Sequence, residues 1–304
     1  MRVSVIIPVF NAARFVEEAV LSALDQAETG EVLLIDDGST DGSYAICQRL
    51  AGIDHRVKLL FHPGHQNLGA GATRNLGLQR AAEDYIAFLD VDDFYLPSRF
   101  TTTQKVLNAH PDADGVYETI GALYSDTSFT ELHLRRMGSE HTGLIKKVPP
   151  ERLFSALSTG KYGHIHLNGL VIVNKDRDEL LTFDTSLKQC EDSDWILRLA
   201  NRYALYSGEP SHLVAMRRVH GGNSVLNSTE AIHYQRRFLY KCIAHDFYGS
   251  RDIYSKLYLV ARYVSWGWHG RLRRLGALSR PAIYLATGIY LISHPLLLFR
   301  MIFV

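Results

Sequence analysis

An α/β fold with a mostly parallel central sheet flanked by helices is predicted by three features of the sequence. Apolar and β-branched runs recur at Val3 to Val9, Glu31 to Ile35, Val57 to Phe61 and Tyr85 to Leu89, with the length and composition of buried strands. The stretches between them carry apolar residues at helical spacing, and strands alternating with helices imply a parallel sheet covered on both faces. Acids and turn formers follow the runs, which gathers polar groups at the open end of the strands, where ligands of such sheets sit.

The first run, VSVIIPV, gives way to a loop at Pro8 to Asn11, and Phe15, Val16, Ala19, Val20, Ala23 and Leu24 then mark one face of an amphipathic helix. The second run leads into DDGSTDGS at 36 to 43, where Asp41 or Ser39 is a candidate N-cap for a helix carrying Ala45, Ile46 and Leu50. Val57 to Phe61 opens into the Gly-rich loop His62 to Gly71, and a helix over Ala70 to Ala82 holds Arg74 in its early turns. Past the fourth run a helix is expected from near Pro97 to about Asn108, then a strand over Gly115 to Tyr124. Leu153, Phe154 and Leu157 mark a short helix, Gly169 to Val173 a buried strand, Cys190 to Arg202 a helix, and Leu213 to Met216 a strand. The flexible basic loop RRVHGGNS follows at 217 to 224.

Composition narrows the functional classes. The chain has 304 residues, 46% hydrophobic and 21% charged, an ordinary globular balance. A formal charge of +1 argues against a nucleic-acid partner recruited by overall charge. Cys47, Cys190 and Cys242 are far apart and lack CxxC spacing, which suggests neither a disulfide framework nor a zinc site and fits a reducing cytoplasm. MRVSVIIPVF has too short an apolar run for a signal peptide and reads as the first strand.

The chemistry concentrates in IAFLDVDDF, residues 86 to 94, where an apolar strand ends in Asp90, Asp92 and Asp93. Carboxylates this close repel one another, and a hard cation, Mg²⁺ or Mn²⁺, completed by substrate phosphates would relieve the repulsion. A solvated acidic turn is the other reading of the same residues. Glu191 and Asp192 have two readings as well: functional acids, or a helix N-terminus complementing its dipole. Arg217, Arg218 and His220 suit a loop folding over phosphates, or an ordinary surface loop.

Taken in order, PVFN at 8 to 11, LLIDDGSTDGS at 33 to 43, NLGAGATRNLGL at 67 to 78, FLDVDD at 88 to 93 and CEDSDWILRLA at 190 to 200 resemble the motifs of the family 2 glycosyltransferases with the GT-A fold. The resemblance covers roughly the first 225 residues and implies a GT-A domain over 1–228; residues 229–304 are expected, from their own composition, to form a helical, membrane-associated region. It implies that Pro8, Val9, Phe10, Asn11 and Asp37 contact the nucleotide base, that Arg74 lines the same pocket, and that Asp90 and Asp92 serve the ribose and diphosphate. Metal binding falls on Asp92 and Asp93, and the catalytic base of the ED motif on Asp192. RRVHGGNS is similar to an Arg-X-His loop of many members, which makes Arg218 and His220 candidate diphosphate or metal contacts.

The implied activity is inverting, metal-dependent transfer of one sugar from a nucleotide-diphospho-sugar, a UDP-sugar by resemblance, to a hydroxyl of a lipid-linked or cell-surface glycan. No QXXRW-like motif follows the ED helix, which favours single transfers over polymerisation. A catalytically silent nucleotide-sugar-binding scaffold is the alternative, disfavoured because all four key acids are present. A dinucleotide-dependent oxidoreductase is weaker, since PVFN stands where GxGxxG would follow the first strand.

From Tyr254 the chain turns aromatic and basic, with Trp266, Trp268, Arg271, Arg273, Arg274 and Arg280 in a membrane-interface pattern. Pro281 to Val304 carries one formal charge, Arg300, and is long enough to span a bilayer, although Gly288, His294 and Pro295 interrupt it. A membrane anchor and an oligomerisation helix pair are the two readings. If the segment spans, the arginines before it place the domain on the inner, cytoplasmic face of the cell membrane.

Overall fold

The computed structural model describes residues 1–221, apart from 127–128, 132, 135–138, 161 and 175–181, and residue 260. The predicted alternation is realised as β1 (Val3–Val9), α1 (Val16–Leu24), β2 (Thr29–Asp36), α2 (Ser43–Ile53), β3 (Val57–Phe61), α3 (Ala70–Arg80) and β4 (Tyr85–Phe88). Next come β5 (Phe94–Tyr95), α4 (Thr101–Ala109), β6 (Gly115–Tyr117), β7 (Thr119–Tyr124) and α5 (Pro150–Thr159). The described elements end with β8 (Leu170–Val173), α6 (Glu191–Arg202), β9 (Leu205–Ser207) and β10 (Leu213–Val219).

Seven strands form one sheet in the order β3-β2-β1-β4-β8-β6-β9, and three form a second in the order β5-β10-β7. The first four pair in parallel, β8 runs against both β4 and β6, and β6 and β9 are parallel. Within this sheet β8 is therefore the strand that opposes the common direction. Side chains of successive strand residues point to opposite faces, and the core divides accordingly. Ile6, Leu33, Ile35 and Phe88 cluster with Leu78, Leu153, Trp195 and Leu199 from α3, α5 and α6. Val5, Ile7 and Leu34 cluster with Val16, Val20, Cys47 and Leu50 from α1 and α2. Each such side chain contributes about 1.5–3 kcal/mol on burial. The backbone of α3 lies close to β1: a Cβ on Gly77 would stand 2.5 Å from Ile6 Cγ2.

Several expectations are corrected. The helix after the acidic turn starts at Thr101 instead of Pro97, because the chain first joins the second sheet as β5, where Leu96 N–H donates to Val214 O at 3.0 Å. The stretch Gly115 to Tyr124 is two strands in two sheets, broken at Glu118. There the buried carboxylate meets Arg99 at 3.0 Å and Thr103 Oγ1 at 2.6 Å, and Glu118 N–H donates to Gly169 O. Gly42, at φ 93°, occupies the N-cap of α2 in place of Ser39 or Asp41, and the Asp41 carboxylate instead accepts from Ala13 N–H and Ser43 N–H. Arg217 and Arg218 belong to β10, not to a loop. The C-terminal features expected beyond 229 lie outside the described residues, Val260 apart. Among the described residues no helix is long and apolar enough to cross a membrane.

Candidate active site

Because β1, β2 and β4 are parallel, their C-terminal ends meet at one edge. Val9 turns its side chain into the core and offers its carbonyl to Asp37 N–H at 2.8 Å, while Phe10 is 49% exposed. Asn11 adopts φ 47°, and its side chain accepts from Thr40 N–H at 2.8 Å, tying the first loop to the second. Asp37 is buried, and its two oxygens accept from Leu68 N–H at 2.8 Å and Gly69 N–H at 2.9 Å. Its carboxylate thereby clamps the Gly-rich loop down against the turn at Gly38, where φ is 78° and a Cβ would lie 2.6 Å from His65 O.

Arg74 enters from α3 and bridges two distant segments: Nη2 donates to Asp90 Oδ1 at 2.8 Å and Nη1 to Glu191 Oε1 at 2.7 Å. It is buried and lies over the Phe183 ring. Burial is the largest single influence and would raise the Asp90 pKa, but Arg74, His166 and Arg217 together outweigh it and hold the carboxyl below its ordinary value. Glu191 is pushed up to about 7 by burial and by the neighbouring Asp192 charge, against the pull of Arg74. Asp93 is raised well above the usual range by burial, Asp92 and Asp90. Its oxygens accept from Arg218 N–H at 2.7 Å and Asn168 Nδ2 at 2.6 Å. Burial and Asp90 also raise Asp92.

The basic strand β10 delivers its side chains to the same turn. Arg218 donates to Asp92 O at 3.0 Å and pairs with Glu18 on α1, its guanidinium over the Phe15 and Phe94 rings. His220 stacks on Phe15 and sits 3.1 Å from Asp92 Oδ2. Asp192 is half-buried in the first turn of α6, with its Oδ1 accepting from Ser193 N–H at 2.7 Å. Asp90, Asp93 and His166 offer ligand atoms within 4.8 Å of one another, whereas Asp92 faces His220. The mutual repulsion that raises Asp92 and Asp93, and carboxylates that a cation could share with substrate phosphates, fit a hard divalent ion.

A family model described as glycosyl transferase family 2 matches residues 4–159. The chain belongs to glycosyltransferase family 2. A glycosyltransferase of Haemophilus influenzae of uncharacterised activity is 48% identical over 93 residues, 30% of this chain and 36% of its own length. A Bacillus subtilis protein, TuaG, provisionally named a teichuronic acid biosynthesis glycosyltransferase, is 44% identical over 92 residues, again 30% of this chain and 36% of that one. The matched region thus spans about a third of these relatives. Residues 1–349 of S. aureus TarS, solved with UDP-GlcNAc, superpose with a TM-score of 0.65 at 16% identity, over 94% of this chain and 79% of that one. The likeness establishes the GT-A fold.

As a family 2 glycosyltransferase the protein has more in this edge than its motifs name. Glu191, readable from sequence also as a dipole-complementing acid, is the second anchor of Arg74, and Cys190 at the N-cap makes no side-chain cap. His166 and Asn168 belong to a turn without periodic pattern, and no motif marked them. The signal available was two polar residues, His166 and Asn168, flanking a leucine just before a buried strand.

Proposed function

We propose that the protein transfers one sugar, with inversion, from a UDP-sugar to a hydroxyl of a lipid-linked or cell-surface glycan, with Mn²⁺ or Mg²⁺ on the diphosphate. The observation that carries this reading is the Arg74 clamp, which joins the acidic turn at Asp90 to the start of α6, where Asp192 follows Glu191. Such a clamp fixes the distance between a leaving-group site and a base. Asp192 takes the proton of the acceptor hydroxyl as its oxygen attacks the anomeric carbon and the bond to UDP breaks. Pro8 to Asn11, Asp37 and Arg74 line the nucleotide pocket, Asp90 and Asp92 hold the ribose and diphosphate, and Asp92 and Asp93 are the metal-binding acids. A divalent ion bound there neutralises charge on the departing diphosphate. Arg218 on β10 and His220 just beyond its end close the diphosphate side.

The donor class is supported by the fold shared with TarS, whose structure carries UDP-GlcNAc, and the acceptor class by the name of TuaG. We further assign residues 229–304 to contact with the inner face of the cell membrane, on the strength of their aromatic and basic pattern. Calorimetric titration of UDP, GDP, CDP and dTDP, with and without Mn²⁺, tests the donor reading. Selective, metal-dependent UDP binding lost in Asp92→Ala is expected. Preference for another diphosphate replaces the nucleotide, and binding of none of them overturns the reading.

A further inference from the structure

His166 caps the 3₁₀ turn Leu167–Gly169: its Nδ1 accepts the Asn168 N–H at 3.2 Å. A backbone amide can only donate, so Nδ1 must present a lone pair, and a neutral imidazole then carries its proton on Nε2. An imidazolium carries protons on both nitrogens and could not accept that bond, so the ring is neutral; burial acts the same way and lowers its pKa to about 4, against the attraction of Asp90. Nε2 lies 4.0 Å from Asp90 Oδ2, beyond hydrogen-bond reach, and 12% of the side chain is open to solvent. Asp90, Arg217, Asp192 and Arg74 all act on the ring electrostatically, so it stands between the acidic turn and the first turn of α6.

His166 also completes the outline of a metal site with Asp90 and Asp93. The hydrogen bonding opposes that role. A metal-bound histidine donates its other ring N–H to an acceptor, whereas here the other nitrogen faces a donor. Ligation through Nε2 would require a proton on Nδ1, directly against the Asn168 N–H, and Nδ1 itself is occupied by that same amide.

We propose that His166 is a fixed, uncharged Nε2–H donor to an oxygen of the glycosyl donor, sugar hydroxyl or phosphate, and not a ligand of the metal. The proposal rests on the donor reading above. The carboxylates of the turn are acceptors alone when ionised, so a neutral donor beside them recognises an oxygen that they repel.

The tautomer is read directly by ¹⁵N–¹H correlation of the histidine rings in the full chain, free and with Mg²⁺ and UDP. Nε2 of His166 is expected to keep its proton throughout; its loss on adding Mg²⁺ would mean ligation and overturn the proposal. Two variants accompany it. His166→Asn keeps a capping acceptor but removes the ring N–H, and His166→Ala removes both. With Mn²⁺ present, His166→Asn should bind the glycosyl donor about tenfold more weakly, the loss of one hydrogen bond, while Mn²⁺ affinity measured without nucleotide stays unchanged. Weakening toward both UDP and UDP-GlcNAc places the contact on phosphate; weakening toward UDP-GlcNAc alone places it on the sugar. Unaltered affinity for both, or a parallel fall in Mn²⁺ affinity, overturns the assignment. If the unaltered protein binds neither nucleotide, the donor reading fails and the donor contact with it, while the ring spectrum in Mg²⁺ still decides the question of ligation.

Discussion

Asn168 donates from Nδ2 to Asp93 Oδ2 across 2.6 Å although 75 residues separate them. Its Oδ1 accepts from Asp90 N–H at 3.0 Å, which fixes the amide orientation because that backbone group can only donate. Asn168 is in turn held from below: its carbonyl accepts from Arg99 Nε at 3.2 Å, and Arg99 pairs with Glu118, both side chains fully buried. A buried ion pair is weak as a source of stability but strict about geometry. Here it seats the turn on which the acidic cluster rests.

Replacing Asn168 by Ala leaves one carboxylate oxygen and one amide without partners in a buried place. A cost of about 2–6 kcal/mol in denaturant unfolding is expected, at about 1–3 kcal/mol for each unsatisfied group. Asn168→Asp should be worse, since it sets a third carboxylate against Asp93 and supplies no donor. A midpoint unchanged in both variants would show that the turn holds itself.

The alternating half of the fold was legible because each strand is a continuous apolar run, and the acids at the ends of β2 and β4 announced the functional edge. What escaped was set by long-range partners. Glu118 reads as one polar position inside a strand until Arg99 and Thr103 are placed beside it, and only then does the change of sheet make sense. Two-residue β5 has no period to detect. Arg74 stood out in sequence as a basic residue near the loop, but its second partner, Glu191, is 117 residues away.

Arg74→Met should destabilise the protein by about 3–5 kcal/mol, the usual cost of stripping one partner from a buried ionic cluster. Arg74→Lys should recover only part of this, because an ammonium is a point charge and the two carboxylates are met by separate arms of the guanidinium. Chemical denaturation of the two variants decides it; equal stability for Lys and Arg would deny the fork its role.

At the C-terminus of α2, Asp54 is bound by the Arg56 side chain and by the Arg56 N–H, which together lower its pKa from 3.8 to about 2. A carboxyl with a depressed folded-state value stabilises the fold above its unfolded value and loses that contribution as pH falls through the folded one. Asp54→Asn should therefore lower the melting temperature near pH 6, by no more than about 2 kcal/mol of stability at 1.36 kcal/mol per unit, and the difference from the unaltered protein should close between pH 4 and pH 2. A gap that persists at pH 2 would locate the effect elsewhere.

Gly77 admits no side chain because α3 lies against β1. With a Cβ placed 2.5 Å from Ile6 Cγ2, Gly77→Ala should cost about 1–3 kcal/mol by overpacking, despite the better helix propensity of alanine. Pairing it with Ile6→Ala, which removes Cγ2, should give a double variant less destabilised than the sum of the two single losses; additive losses would mean that the helix had shifted as a body.

Asp192→Asn separates binding from chemistry. The Ser193 N–H that Asp192 Oδ1 accepts can be met equally by the amide oxygen of asparagine, so the first turn of α6 and the Arg74–Glu191 contact stay in place and affinity for UDP should hold. What disappears is the capacity to take a proton from the acceptor hydroxyl. Turnover is expected to fall by about 10²–10⁴, the range for loss of a general base, and to show no recovery with excess acceptor. Near-normal turnover would remove Asp192 from that role. Weakened UDP binding would instead make it a nucleotide contact, and the base would have to be sought among the other acids that Arg74 gathers at this edge.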